Sequence, residues 1–305
     1  MEDLPKEMFQ RLENHHEKAE DISSPSISYW QDAWRRFKEN KVATISLCIL
    51  SILLIMSIIG PMLTPYEYYE TFLSKKNLPP NSEFWFGTDD LGRDVFTRIW
   101  YGARISLFVG FAAAFIDLII GVLWGSVAAF AGKRTDEIMM RIADTLYAIP
   151  NLLVIILLMV VMGAGMIPIL ISLTITGWIN MARIVRGQIL QLKEQEYVYA
   201  ATALGAGFSR IIFKHLIPNT LGPIIVTITL TIPTAIFIES FLSFLGLGIQ
   251  APIASWGTMA SEGLPAMKYY PWRLFLPAFF ISATMLTFNL VGDGLRDSLD
   301  PRLRK

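Results

Sequence analysis

Charge is scarce in this sequence, and neither sign is in excess. Charged residues make up 17% of the 305 residues, whereas about a quarter of an average soluble domain is charged. Lys and Arg together number 26, and so do Asp and Glu. The sequence therefore gives no support to nucleic-acid binding, which needs a basic surface. Hydrophobic residues make up 53% and the mean hydropathy is +0.46, so the composition predicts a membrane protein.

Cysteine and histidine are also rare. The single cysteine, Cys48, cannot form an intrachain disulfide, and its apolar run predicts that it packs as a small hydrophobic residue. The histidines, His15, His16 and His215, all lie outside the apolar runs. An intramembrane hydrolase needs a base beside its nucleophile or a cluster of metal ligands, so this enzyme class is the weaker alternative. No Gly-rich phosphate loop is present, so nucleotide hydrolysis is not expected on this chain.

Six apolar runs have lengths close to the roughly 20 residues that a membrane-spanning helix needs. The third and fourth are nearly continuous, and we separate them at Gly163-Ala164-Gly165 because glycine permits a tight turn. The first run starts too far along the chain, and is too long, for a signal peptide. We therefore predict an all-α polytopic membrane protein with six transmembrane helices. The runs are about 42–63, 105–130, 146–162, 166–182, 222–245 and 274–292.

Lys and Arg residues are unevenly distributed among the loops. They concentrate before the first run, after the second, after the fourth and at the C-terminus. Because positive residues are retained in the cytoplasm, both termini are predicted to be cytoplasmic. The predicted organisation is a cytoplasmic N-terminal segment (1–41), a transmembrane domain (42–293) with an external loop (64–104) and a cytoplasmic loop (183–221), and a cytoplasmic tail (294–305).

Residues 29–41 have the pattern of a helix of their own. Aromatic residues recur at helical spacing, and basic residues lie off that stripe, as in a helix lying in the lipid headgroup region. The alternative is a frayed, basic start of the first span. Residues 1–28 are polar and mixed in charge, which predicts poor order. The stripe contains Trp30, Trp34, Phe37 and Lys41, and the basic residues beside it are Arg35, Arg36 and Lys38.

A polar, helix-forming segment lies between Arg183 and Asn219. Strong helix formers predict a helix over about 188–204, and Gly205 then stands where a helix end favours a left-handed residue. Ser209 is predicted to cap a second short helix over 210–217, which Pro218 ends. The expected structure is two short helices joined by a bend, which we call the elbow (residues 188–218).

The elbow has the composition of a docking surface. Its alanines keep the surface thin, and its tyrosines supply the large, rigid contact area found at binding hot spots. The alternative is an ordinary amphipathic loop that packs back on the helix bundle. The candidate docking residues are Tyr197, Tyr199, Ala200, Ala201, Ala203, Leu204, Gly205 and Pro218.

A few polar residues lie within the apolar runs. Such residues are costly in lipid and usually face protein or water, so Asp117, Glu239 and Asn289 are candidates for a water-filled translocation route. The alternative for each is hydrogen bonding between helices. Asp117 and Glu239 also suit a proton relay, as in a proton-coupled carrier. Gly121 and Gly125 have the spacing of a small-residue helix contact, which predicts that the second span packs tightly on a neighbour.

Asp89, Asp90, Arg93 and Asp94 form a dense charged group in the predicted external loop. Three carboxylates this close raise the hypothesis of a metal or catalytic site. No histidine accompanies them, and Arg93 is placed to neutralise them, so no metal site is expected. A hydrogen-bonded turn that orders the entry to the second span is favoured.

The elbow resembles a motif of ATP-binding-cassette (ABC) importer permeases, in which Glu-Ala-Ala is followed by Gly and then by Ile-x-Leu-Pro. Ala200, Ala201, Gly205 and Pro218 match it in register, whereas Tyr199 replaces the glutamate. Other stretches make the resemblance specific to the C-type permease subunit of the oligopeptide/dipeptide importers, from about residue 29 to the C-terminus. These stretches are Phe86–Asp94, Leu242–Gly248, Ser255–Gly257, Gly292–Asp297 and Leu299–Pro301.

This resemblance implies a type I ABC importer permease fold in a bacterial plasma membrane. It implies that the chain forms half of a peptide pathway and pairs with a B-type permease, two ATP-binding subunits and an extracytoplasmic peptide-binding protein. It further implies that the elbow sits in a cleft on one ATP-binding subunit, and that ATP and Mg²⁺ are held by those subunits while this chain binds no cofactor. The cargo stays open among dipeptides, oligopeptides and chelated nickel.

Overall fold

A computed structural model describes residues 28–300, and these residues form α-helices without strands. Only one isolated β-bridge, between Thr88 and Asp94, occurs among them. The helices are α1 (Tyr29–Glu39), α2 (Lys41–Ile59), α3 (Val95–Phe130), α4 (Lys133–Tyr147), α5 (Asn151–Met162), α6 (Met166–Thr176), α7 (Trp178–Leu192), α8 (Glu196–Ala203), α9 (Phe208–Ile211), α10 (Ile217–Asn219), α11 (Leu221–Phe244), α12 (Trp256–Gly263) and α13 (Trp272–Leu299).

Five helical stretches within residues 28–300 are long and apolar enough to cross a membrane. A sixth crossing requires α4 and α5 together, which are bent by 73° relative to each other. Helix α5 has 12 residues and so rises about 18 Å, which is less than the roughly 30 Å of a hydrocarbon core. The five stretches are Lys41–Met62, Val95–Phe130, Met166–Leu192, Leu221–Phe244 and Trp272–Leu299.

The two ends of the described chain meet at one end of the helix bundle. The Tyr29 hydroxyl donates a 2.9 Å hydrogen bond to the Leu299 carbonyl. The Arg36 guanidinium donates one of 3.3 Å to the Asp300 carbonyl. Helix α1 and the end of α13 therefore lie on one side of the bundle. The described residues hold five candidate spans, or six if the bent pair α4–α5 crosses as one, and the six spans predicted require that it does.

Several predicted boundaries are wrong, for local reasons. The second span begins at Val95 because the Asp94 side chain accepts a 2.8 Å hydrogen bond from the Thr97 amide and caps the helix. The predicted external loop 64–104 therefore contains the first turns of α3. The third run, 146–162, is interrupted before Asn151, because Pro150 cannot continue a helix. Helix α13 runs to Leu299, past the predicted end of the sixth run at 292.

The separation of the third and fourth spans is confirmed. Helix α5 ends at Met162, and α6 begins at Met166. Gly163 between them has φ +84°, a left-handed conformation that L side chains rarely adopt. The glycine therefore permits the reversal of the chain that joins the two helices.

Helix α1 exists as predicted, but its aromatic stripe is divided between protein and surroundings. Phe37 is buried against Ala43 and Val291, whereas Trp30 and Trp34 are half exposed. Of the residues predicted to be poorly ordered, 1–27 lie outside the described part of the chain, and Ser28 forms the N-cap of α1. Cys48 is exposed on α2 and not packed in a core. This outward position suits an apolar side chain where the surrounding solvent is lipid.

Helix α3 packs closely on α7, and this contact depends on two glycines. A β-carbon at Gly121 would lie 2.6 Å from the Met181 β-carbon, and one at Gly125 would lie 2.4 Å from the Ala182 carbonyl oxygen. Both distances are too short for a side chain, so only glycine lets the backbones approach this closely. The predicted tight packing of the second span on a neighbour is confirmed, and α7 is that neighbour.

Candidate functional site

The first half of the elbow is divided between two helices instead of the single helix predicted. Helix α7 ends at Leu192 and α8 starts at Glu196, so the single helix expected over 188–204 is wrong. Gln195 between them has an extended backbone. The interruption allows Val198 to be buried to 97% against the bundle. Tertiary packing has overridden the local helix propensity here.

The bend of the elbow is a Schellman motif centred on Gly205. The Gly205 amide donates a 2.9 Å hydrogen bond to the Thr202 carbonyl, and the Ala206 amide donates one of 3.0 Å to the Ala201 carbonyl. Gly205 has φ +80°, as the sequence predicted for the helix end. A β-carbon there would meet no atom within 4 Å. The position therefore needs glycine for its backbone conformation and not for space.

The second half of the elbow differs from the prediction. Helix α9 begins at Phe208 with Gly207 as its N-cap, and Ser209 makes no capping hydrogen bond. The Phe208 ring lies 5.0 Å from the Phe130 ring, a contact that the sequence did not reveal. A π-helical turn over Ile212–Leu216 follows. Pro218 then lies in the first turn of α10, where its missing amide hydrogen is no loss, and so it does not end the helix.

One face of the elbow is anchored to the bundle. Val198, Ile211, Ile212 and Leu216 are at most 3% exposed. They pack in one cluster with residues of α3 and α7, among them Val122, Val185 and Ile189. This is the packed-back arrangement that the sequence left as an alternative.

The opposite face of the elbow is open. Leu204 is 89% exposed and Tyr199 is 61% exposed. A concavity of about 360 Å³ at the bend is lined by Gly205, Arg210 and His215, together with Ala201, Leu204, Ala206 and Gly207. Three of the candidate docking residues, Ala201, Leu204 and Gly205, line this concavity. Tyr197, Tyr199, Ala200 and Ala203 are exposed on α8, and Pro218 lies at the end of the elbow.

A cavity of about 670 Å³ lies between α3, α6, α7, α11 and the α4–α5 bend. Asp117 lines it from α3 and Asn180 from α7, and most of the remaining wall is apolar. Asp117 is 4% exposed, and its Oδ1 atom has no hydrogen-bond partner. Sequence reasoning did not find that Asn151 and Tyr147, at the helix bend, share this wall.

The other two candidate pathway residues lie elsewhere. Glu239 is fully buried, and its carboxylate accepts hydrogen bonds from Ser106 at 2.8 Å and from Ser243 at 2.9 Å. It does not line the cavity beside Asp117. Asn289 is exposed on α13. The structure therefore does not bring the three predicted residues together.

The external charged group belongs to a larger ionic network. Arg93 contacts Asp89 at 2.6 Å and Glu262 at 2.9 Å, while Arg98 contacts Glu262 at 2.8 Å. Arg273 contacts Asp90 at 3.0 Å. Arg98, Glu262 and Arg273 were missed because they lie far apart in the sequence and carry no local motif.

Asp94 has a separate role from that network. Its side chain accepts hydrogen bonds from the amide and the hydroxyl of Thr97, at 2.8 and 2.6 Å. Burial raises the pKa of the Asp94 carboxyl. The predicted turn that orders the entry to the second span is therefore present, and Asp94 is its capping residue.

Two family models match the chain. Residues 121–305 match the inner membrane component of binding-protein-dependent transport systems, and residues 28–80 match the N-terminal transmembrane domain of oligopeptide transport permease C.

Curated relatives match over nearly the full length. The chain is 61% identical over 305 residues to the oligopeptide transport system permease protein OppC of Bacillus subtilis, with all of both chains covered. It is 59% identical over 303 residues to the dipeptide transport system permease protein DppC of the same organism, covering 99% of this chain and 95% of the relative. The permease protein OppC of Escherichia coli is 42% identical over 303 residues, with 99% of each chain covered.

A solved structure shares the fold. The inward-facing MetNI methionine ABC transporter aligns with a TM-score of 0.54 and 18% identity, covering 65% of this chain and 94% of that chain.

Proposed function

The chain belongs to the C-type permease subunits of oligopeptide/dipeptide ABC importers, and we propose that it forms half of a peptide pathway driven by partner ATP-binding subunits. In this proposal the elbow docks on one ATP-binding subunit and carries its movement into the bundle. The chain itself is not an enzyme and binds no cofactor; ATP and Mg²⁺ are held by the partners.

This proposal rests on one observation: the elbow has one face buried against the bundle and one face exposed. Leu216 is fully buried against the bundle, whereas Leu204 is 89% exposed. A rigid bend at Gly205 joins the two halves. A force applied to the free face therefore reaches α3 and α7 through packed side chains. Nucleotide can drive the change of access only by binding one arrangement of the complex more tightly than the other.

The proposed partners follow from the resemblance to the oligopeptide/dipeptide importers, and the names of the relatives support a transport system with several components. They are a B-type permease, two ATP-binding subunits and an extracytoplasmic peptide-binding protein, besides membrane lipid. The proposed cargo class is peptides, because the relatives at 61% and 59% identity are named as oligopeptide and dipeptide permeases. Chelated nickel, expected as an alternative from the resemblance, finds no counterpart in these names.

The proposed orientation places both termini in the cytoplasm of a bacterial plasma membrane. The elbow lies on the same side as both ends of the described chain. A β-carbon at Gly222, just after the elbow, would be 3.6 Å from the Tyr29 hydroxyl and 3.7 Å from the Leu299 β-carbon. An elbow that docks on an ATP-binding subunit must face the cytoplasm, and the N- and C-terminal ends then face it too.

Uptake by the reconstituted complex tests the proposal. Proteoliposomes containing this chain and its partners should take up labelled peptide with ATP inside, and collapse of the proton gradient should leave the uptake unchanged. Uptake that persists without ATP and stops when the proton gradient collapses would instead support the proton-coupled carrier. Copurification of the tagged chain from its native membrane should yield the proposed partners, and their absence would contradict the assembly.

A further inference from the structure

Asp117 is a buried carboxylate that the fold does not neutralise. It is 4% exposed, and no residue within 28–300 forms an ion pair or a hydrogen bond with it. Burying a charge without a partner is costly, and an ionisable group at membrane depth is by default a functional one.

Glu239 provides the contrast within the same chain. It is the other carboxylate buried in the middle of the bundle, and three serine hydroxyls surround it, those of Ser106, Ser240 and Ser243. Its hydrogen-bonding needs are met by the protein, so its role is structural. Those of Asp117 are not met.

The backbone leaves room for the Asp117 carboxylate at the junction of α6 and α7. A β-carbon at Gly177 would lie 2.2 Å from Asp117 Oδ2. The carboxylate therefore occupies the space that any other residue at position 177 would fill. The carboxylate and the glycine both line the 670 Å³ cavity.

The cavity wall offers acceptors and a single charge. Asp117 is the only charged side chain among the described residues that line it. Thr227, Thr231 and Thr234 also line it, and each hydroxyl donates to a carbonyl of its own helix. Each of these oxygens keeps a lone pair for a donor in the cavity. The wall is thus suited to a cationic group that carries several N–H donors.

Resting on the function proposed above, we propose that Asp117 receives the α-ammonium group of a peptide during its passage through the cavity. An ammonium group has one positive charge and three donors. It supplies the positive partner that the Asp117 carboxylate lacks. The threonine hydroxyls and Asn180 lie on the same wall and can bind the other N–H donors of the ammonium group and the first amides of the peptide.

The test compares a peptide that has a free amino terminus with its N-acetylated analogue. Both are supplied at concentrations that saturate the peptide-binding protein, and uptake is measured in proteoliposomes with the complete complex. The binding protein is the same in every sample, so its own preference cancels between wild type and variant. Asp117→Asn should reduce the preference for the free amino terminus by about tenfold or more, the loss expected for one hydrogen bond to a charged group. An unchanged preference, including an equal fall for both peptides, would overturn the proposal.

A second pair of variants guards against loss of folding at position 117. Gly177→Ala should displace the carboxylate and also reduce the preference. Gly187→Ala, within the helix α7 that Gly177 precedes, is the matched control, because a β-carbon there meets no atom within 4 Å. Assembly of the complex is checked by copurification for each variant. If the Asp117→Asn complex does not assemble, the comparison of Gly177→Ala with Gly187→Ala decides. An equal preference for the free amino terminus in these two variants would overturn the proposal.

The two proposals fail in different ways. If the wild-type complex takes up neither peptide, the proposed function is wrong. If the wild type takes up peptides and the variants keep its preference for the free amino terminus, the function stands and the role of Asp117 is wrong.

Discussion

The Arg98 guanidinium lies 2.8 Å from the Glu262 carboxylate, although 164 residues separate them in the sequence. Arg98 is 1% exposed, and Arg93 contacts the same carboxylate at 2.9 Å. Glu262 therefore joins the start of α3 to α12 and holds two buried guanidinium groups at once. This network closes the side of the bundle opposite the elbow.

Removing this carboxylate should destabilise the protein strongly. Glu262→Ala leaves the two buried guanidinium groups of Arg93 and Arg98 with Asp89 as their one remaining carboxylate, and breaking a buried ion pair on one side costs roughly 3 kcal/mol. The measurement is the thermal denaturation of the purified complex in detergent. Glu83→Ala is the control, because Glu83 pairs with Lys75 on the exposed surface, where an ion pair contributes at most about 1 kcal/mol. Equal effects of the two variants would contradict the structural role of the network.

The protein should remain stable when the side chain at position 94 loses its charge, but it should be destabilised when it loses the hydrogen bonds that Asp94 accepts. Asn retains a capping oxygen, whereas Ala loses the cap, which costs about 1 kcal/mol. Because burial raises the pKa of Asp94 in the folded protein, the folded state binds a proton more readily than the unfolded state. Stability therefore falls as the pH rises from the unfolded pKa through the folded one.

Thermal denaturation checks this prediction at two pH values. Asp94→Asn should match or exceed the wild type at neutral pH, and its advantage should shrink as the pH is lowered. Asp94→Ala should be less stable than Asp94→Asn at both. If Asp94→Asn is as unstable as Asp94→Ala at neutral pH, the assignment of Asp94 as a neutralisable cap is wrong.

Gly205→Ala should impair coupling. The left-handed backbone at this position costs a non-glycine residue about 1 kcal/mol or more, so the bend should open or shift. We expect peptide-stimulated ATP hydrolysis and uptake to fall together in the reconstituted complex. Gly207→Ala is the matched control, because its φ is −72° and a β-carbon there meets no atom within 4 Å. A Gly205→Ala complex with wild-type coupling would show that the bend is dispensable.

The two faces of the elbow should respond differently to the same substitution. Leu216→Ala removes a fully buried side chain and should cost about 2–5 kcal/mol of stability. Leu204→Ala removes an exposed one, so stability should stay within about 0.5 kcal/mol while the affinity for the ATP-binding subunit falls. Denaturation and copurification measure the two effects. If Leu204→Ala lowered the stability as much as Leu216→Ala, the face of the elbow that carries Leu204 would not be exposed.

The sequence predicted the features that local chemistry determines. The turn predicted at Gly163 and the helix end predicted at Gly205 were correct, because the left-handed backbone of a glycine is a local property of the chain. Five of the six predicted spans coincide with long apolar helical stretches, because hydrophobicity is a property of each segment, and the sixth depends on the bent pair α4–α5. By contrast, the helix break before Glu196 depends on the burial of Val198 against other helices. Likewise, the contrast between Asp117 and Glu239 depends on serines that meet Glu239 only in the folded chain, and the contact of Arg98 with Glu262 depends on the packing of α3 against α12.

Crosslinking from Leu204 is the decisive test of whether the elbow transmits the movement of an ATP-binding subunit to the bundle. Cys48 is the only cysteine, so in a Cys48→Ser background a photoactivatable thiol reagent reacts only with the cysteine of Leu204→Cys in this chain. The control is Tyr69→Cys, because Tyr69 is 55% exposed and lies beyond the opposite end of α2. Leu204→Cys should crosslink to an ATP-binding subunit with a yield that changes between the ATP-bound and nucleotide-free complex, and Tyr69→Cys should not. If the elbow forms no such crosslink while the complex is hydrolysing ATP and transporting peptide, it does not transmit the movement.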